Sequence, residues 1–305
     1  MSSAILTVGV EKNFGDTNAL KAIDLEVKSG ELFGLIGPDG AGKTTLIRIL
    51  ATLLLPDSGT AEVLGKEVVQ DYQLLRKKIG YMPGKFSLYK DLSVEENLSL
   101  FAAIHNTTIE QNYHLIKDIY AQIEPFKKRK AGALSGGMKQ KLALSCAMIH
   151  EPEILFLDEP TTGVDAVSRN EFWDMLKKLK GRGITILVST PYMDEAELCD
   201  RVALMQKGEI LAVDTPQQVV ANFGKELFAV KSKNKFGLIK DLEAYEYTNT
   251  VHAFGSYLHY TDNRSSIKKD DIVKYLREKG HEEVEIKSIL PEIEDCFMAL
   301  MEDNE

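Results

Sequence analysis

Residues 37 to 44 read Gly-Pro-Asp-Gly-Ala-Gly-Lys-Thr and fit the spacing G-x-x-x-x-G-K-[ST], with Gly37, Gly42, Lys43 and Thr44 in register. Glycines at these places let main-chain N–H groups curl around phosphate oxygens, and a helix opening at the end of the loop adds its positive pole. Pro38, Asp39, Gly40, Ala41 and Thr45 complete the candidate phosphate cradle. Lys43 is placed to reach the β- and γ-phosphates, and the Thr44 hydroxyl to face Mg2+. A second constellation, Ile154-Leu-Phe-Leu-Asp158-Glu159, is an apolar run ending in paired carboxylates. A buried parallel strand would deliver Asp158 to the Mg2+ shell and leave Glu159 to polarise a water in line with the γ-phosphate. A third, Leu134-Ser135-Gly136-Gly137, opens a run through Met138, Leu142, Cys146 and Ile149 at helical spacing. A serine followed by glycines leaves backbone donors exposed at a helix start, ready for an anion.

The elements needed to hold these residues are legible around them. Leu32-Phe-Gly-Leu-Ile36 reads as a buried strand before the loop, and Thr45 to Leu50 as the helix after it. Ala4 to Val10, Ile23 to Val27 and Ile184 to Val188 read as further strands, and Pro56-Asp-Ser-Gly59 as a turn. Val202 to Met205 and Ile210 to Val213, divided by Lys207-Gly208, read as a hairpin. Phe172, Met175, Leu176 and Leu179 recur at helical spacing before Gly181, and Ser93-Val-Glu-Glu96 is a capping box. Alternating β and α elements predict a largely parallel sheet.

Taken in this order, the motifs resemble those of the ATP-binding cassette (ABC) ATPase family, over the chain up to about residue 220. The resemblance implies an α/β P-loop NTPase core at 1–224, carrying a helical signature subdomain at about 92–150. It implies ATP and Mg2+ as ligands, with Phe14 where the family stacks an aromatic on adenine. Leu134 to Gly137 would cap the γ-phosphate held by a second ABC ATPase domain, so the chain is expected to work as half of a pair. Gly163-Val164-Asp165 falls at the family's D-loop, with Ala166 where proline is more usual, and Lys85 to Tyr89 where the family meets its membrane subunit. Pro291-Glu-Ile-Glu-Asp295-Cys-Phe-Met298 resembles the terminal helix motif of drug-efflux and ABC-2-type exporter ATPases.

Two positions depart from the family pattern. Gly84 stands where a glutamine touches Mg2+ and the attacking water, and Pro191 where a histidine contacts the γ-phosphate. Glycine has no side chain to offer; proline has neither a side-chain donor nor an N–H. The expectation is a pocket that binds ATP but hydrolyses it poorly, beside a partner pocket that turns over. That favours a heteromeric pair, with a homodimer as the alternative. Lys85 or a water taking over the lost contacts would restore activity.

Composition bounds the rest. The chain has 305 residues, 44% hydrophobic and 27% charged, enough for an ample core. Leu46 to Leu55 is its nearest approach to a membrane-spanning stretch, but it is short and contains Arg48. Met-Ser-Ser-Ala at the start has no leader character, so a cytoplasmic protein at the inner membrane face, acting on integral permease subunits, is expected. A net charge of −9 argues against nucleic acid as a partner, and Lys127 to Lys130 is expected to be a solvated basic loop. A soluble regulatory or translation- or DNA-associated ABC ATPase is the alternative reading. Cys146, Cys199 and Cys296 lack C-x-x-C pairing and suit reduced core thiols. From 225 to 305 strands at Leu227 to Val230, Val251 to Phe254 and Val284 to Ile286 alternate with helices at Phe236 to Ala244 and Lys269 to Lys279. This predicts a small α+β appendage of ferredoxin-like kind, whose His252, His259 and His281 lack ligand spacing.

Overall fold

Strands β1 (Ser3–Phe14) and β2 (Thr17–Lys28) form a long antiparallel ribbon, burying Ile23, Leu25 and Val27 at alternate positions while the residues between them face outward. After them come β3 (Leu32–Ile36), α1 (Lys43–Leu50), β4 (Ser58–Val63), β5 (Lys66–Glu67), α2 (Tyr72–Leu75) and β6 (Ile79–Met82). Helices α3 (Val94–Ile104), α4 (Ile109–Tyr120) and α5 (Gly136–Met148) lead to β7 (Ile154–Asp158), α6 (Ala166–Gly181), β8 (Thr185–Thr190), β9 (Arg201–Gln206) and β10 (Glu209–Asp214). The computed structural model describes residues 2–264 and 268–302 and divides the chain into two compact units at Pro216/Gln217, within α7 (Pro216–Ala221). The change in sequence character at Gly224 lies just beyond that division, because α7 is compositionally ordinary and the apolar run begins only at Leu227.

In the first unit, one antiparallel sheet runs β2-β1-β4-β5 and a second runs β10-β9-β3-β8-β7-β6. In the second sheet every pairing is parallel except the β9–β10 hairpin. Every residue of β3, β7 and β8 is buried, which is why these strands read as continuous apolar runs and not as alternating ones. Between the sheets lies a core that includes Leu46, Ile47, Leu50, Phe33 and Phe156. Trp173 is buried beside the Phe172, Met175, Leu176 and Leu179 stripe of α6.

One local expectation needs correction. The Pro56–Gly59 turn ends early, since β4 already begins at Ser58. Gly59 has φ 77°, and a Cβ there would lie 2.2 Å from the Gly9 carbonyl oxygen, so the close crossing of β1 demands the glycine. Lys127–Lys130 is an exposed loop, as expected, and it also makes contacts. Lys127 and Lys128 both pair with Glu95, while the Lys127 and Arg129 carbonyls accept from the Glu95 and Val94 N–H groups. The basic run thus satisfies first-turn donors of α3, alongside the Ser93–Glu96 capping box.

The second unit contains β11 (Leu227–Lys231), α8 (Lys235–Glu243), β12 (Thr248–Phe254), β13 (Tyr257–Asp262), α9 (Lys269–Glu278), β14 (Glu285–Ile289) and α10 (Ile293–Glu302). Its antiparallel sheet runs β12-β13-β11-β14, the strand order of a ferredoxin-like βαββαβ module, with α10 added. Phe228, Val230, Leu258 and Tyr260 share one sheet face and pack with Leu238, Leu242, Ile272 and Leu276. His259 lies 2.6 Å from Asp295, His281 2.8 Å from Asp241 and His252 3.4 Å from Glu302, so each ring has a carboxylate neighbour. Among the described residues no three His, Cys, Asp or Glu side chains gather as metal ligands.

Candidate functional site

At the end of β3 the chain turns through Gly37–Gly42 into α1. The Gly37 N–H donates to the Thr190 carbonyl at 3.3 Å, which ties the loop to the end of β8. Glycine is obligatory at both ends of the loop. A Cβ on Gly37 would stand 2.1 Å from the Met205 carbonyl oxygen, and one on Gly42, at φ 104°, 2.5 Å from that of Ala19. Helix α1 has neither a side-chain cap nor an acidic residue in its first turn, so its leading N–H groups remain available to an anion. Lys43 is buried, and its Nζ donates to the Gly37 and Pro38 carbonyls at 2.7 and 2.9 Å. The same ammonium lies 3.5 Å from Glu159 Oε1.

An open cleft of about 920 Å³ runs along the loop, lined by Asp39 through Thr45, Glu159 and the ribbon residues Asp16 and Asn18. Gly37, Pro38 and Phe14 are not among its lining residues; Phe14 is half exposed, with Lys12 Nζ 5.7 Å from its ring centre. Asp158 and Thr44 meet where β7 ends: the Thr44 hydroxyl donates to Asp158 Oδ1 at 2.9 Å. The Ser189 hydroxyl donates to the same oxygen at 2.8 Å and accepts from the Glu159 N–H at 3.0 Å. The sequence alone gives Ser189 no role; its signal is a polar Ser-Thr pair ending an apolar strand. Burial raises the Tyr81 phenol above its usual range, and the Asp158 charge adds to that.

A hydroxyl and a carboxylate in contact, next to a lysine and a free helix start, are hard oxygen donors suited to Mg2+ beside polyphosphate. Of the two departures from the expected pattern, Gly84 adjoins this group. A Cβ on Gly84 would lie 3.1 Å from the Asp158 carbonyl oxygen and 3.7 Å from Oδ2. Pro191 directly follows Thr190, whose carbonyl holds the first loop glycine.

Leu134–Gly137 does not line the cleft. Ser135 caps α5, accepting from the Met138 N–H at 3.4 Å, while Leu134 is buried. A Cβ on Gly137 would fall 2.7 Å from Ser168 Oγ, so the glycine lets α5 start tightly against the first turn of α6. That turn is itself capped by Asp165, which accepts from the Ser168 N–H at 3.0 Å. At the other end of α5, His150 stacks on His105 at 3.8 Å and reaches the Ile79 carbonyl from Nε2 at 3.0 Å. Burial, with the neighbouring His105, pushes the His150 pKa down to about 4.

The family described as ABC transporter matches residues 20–162. The probable multidrug ABC transporter ATP-binding protein YbhF of Escherichia coli (strain K12) is 40% identical over 307 residues, covering 99% of this chain and 53% of that protein. This chain therefore spans about half the length of that relative. The daunorubicin resistance ATP-binding protein DrrA3 of Streptomyces coeruleorubidus is 34% identical, covering 99% of this chain and 97% of that one. The Nod factor export ATP-binding protein I of Rhizobium sp. (strain N33) is 34% identical over 97% of this chain and 96% of its own. Among solved structures, cbiO1 from Clostridium perfringens, part of the ABC transporter complex cbiONQ, aligns with a TM-score of 0.65 at 28% identity, covering 72% of this chain and 92% of that one. A dimeric ATP-binding cassette in a post-hydrolysis state, bound to ADP and Pi, aligns with a TM-score of 0.63 at 27% identity, covering 69% of this chain and 98% of that one.

Proposed function

This chain belongs to the family of ABC transporter ATP-binding proteins, and from that premise we propose that it is the energy-coupling subunit of an exporter. The observation that carries the reading is the meeting of Thr44 and Asp158 at 2.9 Å beside the uncapped start of α1 and Lys43. Loop N–H groups and Lys43 hold the phosphates of ATP, and Phe14 packs on its base. Thr44 and Asp158 would hold Mg2+, which neutralises phosphate charge when bound. Glu159, adjoining both Lys43 and the cleft, takes a proton from the attacking water. Leu134–Gly137 serves the ATP of a second cassette, and closure of the pair drives integral permease subunits from the inner face of the membrane. No helix among the described residues is long and apolar enough to cross a membrane. The relatives named for multidrug, daunorubicin and Nod-factor functions support export as the direction. Residues 1–224 act as the ATP-binding domain, with its helical subdomain at about 92–150, and 225–305 as an accessory domain.

Gly84 and Pro191 leave the γ-phosphate and the attacking water without two side-chain contacts, so this pocket binds ATP and turns it over slowly. A partner cassette with both groups would carry most of the hydrolysis. Glu159→Gln removes the base and keeps the binding residues. It should show ATP-dependent pairing by light scattering, alone or with the partner cassette, which reverses when ATP is removed. A variant that stays monomeric at saturating Mg-ATP with either partner would refute the paired-cassette reading.

A further inference from the structure

We infer that Ser189 is the positioning residue that sets Asp158 and Glu159 as one unit, so that the metal ligand and the base keep fixed places relative to the phosphate loop. The inference rests on the Mg-ATP reading of this cleft and extends it to a buried residue that does not line the cleft.

Ser189 lies in β8, directly opposite Asp158 of β7 in the parallel register, and is fully buried. Its hydroxyl is used in both directions. It donates to Asp158 Oδ1 at 2.8 Å and accepts from the Glu159 N–H at 3.0 Å, a group that also lies 3.1 Å from the Ser189 carbonyl. Glu159 has φ 48°, a left-handed backbone that residues other than glycine adopt uncommonly. The double acceptor offered by Ser189 holds the Glu159 N–H, and the Glu159 side chain lines the cleft. On the other side, Oδ1 accepts hydrogen bonds from both Ser189 and Thr44. This fixes the plane of the carboxylate and leaves Oδ2 on the side of Gly84. Where position 84 has no side chain to help orient Asp158, the β8 hydroxyl carries that task.

Partners that orient a metal-binding carboxylate typically change metal affinity by about 10–100-fold when removed. The test is nucleotide binding by the full chain, titrated with Mg2+ at fixed ATP and, separately, in excess chelator. Ser189→Ala should raise the Mg2+ concentration for half-saturation by about 10–100-fold and leave chelator-phase ATP affinity within about twofold. Ser189→Thr, which keeps the hydroxyl, should restore the wild-type Mg2+ profile. Ser189→Cys fills the space with a weak donor, folds if the alanine variant does not, and should resemble alanine in its Mg2+ profile. A Mg2+ profile unchanged in Ser189→Ala, or in Ser189→Cys if only that variant folds, would overturn the role of Ser189. Equal loss of chelator-phase and Mg2+-phase binding would do so too, since it marks mere structural damage. If the wild-type chain binds no nucleotide in either phase, it is the ATP-site reading that fails.

Discussion

Placing a glutamine at position 84 and a histidine at position 191 should speed turnover in the pocket proposed to be slow. Gly84 does not have a positive φ, so a glutamine there needs no unusual backbone, but its Cβ would meet the Asp158 carbonyl oxygen at 3.1 Å. That contact asks for a shift of a few tenths of an ångström. Pro191→His returns an N–H and loosens the unfolded chain, at a cost of about 0.5–1 kcal/mol in stability. Against these penalties, one preorganised donor aimed at developing charge changes the rate by about 10²–10³, or roughly 3–4 kcal/mol of barrier. The catalytic gain wins. Gly84→Gln with Pro191→His should raise phosphate release at saturating Mg-ATP by about 10²-fold or more. The single variants should gain disproportionately less, because groups acting on one transition state are not additive. The assay uses homogeneous protein, with the triple variant that also carries Glu159→Gln setting the background. Wild-type protein that already turns over as fast as the double variant would refute the idea that these positions handicap the pocket.

Two further outcomes are expected. Gly137→Ala puts a methyl 2.7 Å from Ser168 Oγ, so in the Gly84→Gln, Pro191→His background it should cut turnover about 10-fold or more, with ATP affinity kept within about twofold; unchanged turnover would contradict the role given to that edge. His150 has a folded pKa of about 4 against roughly 6.5 for an unperturbed histidine, so the unfolded chain takes up the proton first as pH falls. The stability this ring contributes is fully present above about pH 6.5 and is lost towards pH 4, on the order of 2 kcal/mol for a part-exposed ring. Urea midpoints at pH 7 and 4.5 should differ less in His150→Asn than in wild type, and equal differences would exclude the histidine as the cause.

Much of the site could be read in the sequence because its parts are local. A glycine loop between an apolar strand and a helix is one contiguous word, and so is the Ile154–Glu159 strand with its terminal carboxylates. The β9–β10 hairpin and the Ser93–Glu96 cap are likewise fixed by neighbours in the chain. What the sequence does not show is long-range. Ser189 reaches Asp158 only through the pairing of β7 and β8, and Glu95 reaches Lys127 only once α3 folds back on the loop before α5. Strand β13 (Tyr257–Asp262) gives no apolar run in the sequence because Tyr-Leu-His-Tyr-Thr-Asp is polar on one side. That side carries His259, whose carboxylate partner Asp295 lies far along the chain. Alternation alone points to a ferredoxin-like kind, but with β13 unread neither the order β12-β13-β11-β14 nor the contacts of α10 follow from it.

The most direct measurement is a titration of the chain and of Lys43→Ala with labelled Mg-nucleotide. Wild type should show saturable uptake, and Lys43→Ala should bind roughly 10–100-fold more weakly, since about 1.5–3 kcal/mol of charge-assisted bonding to phosphate is lost. No saturable uptake by wild type, with or without a partner cassette, would contradict nucleotide binding through this loop, and with it everything proposed for the cleft.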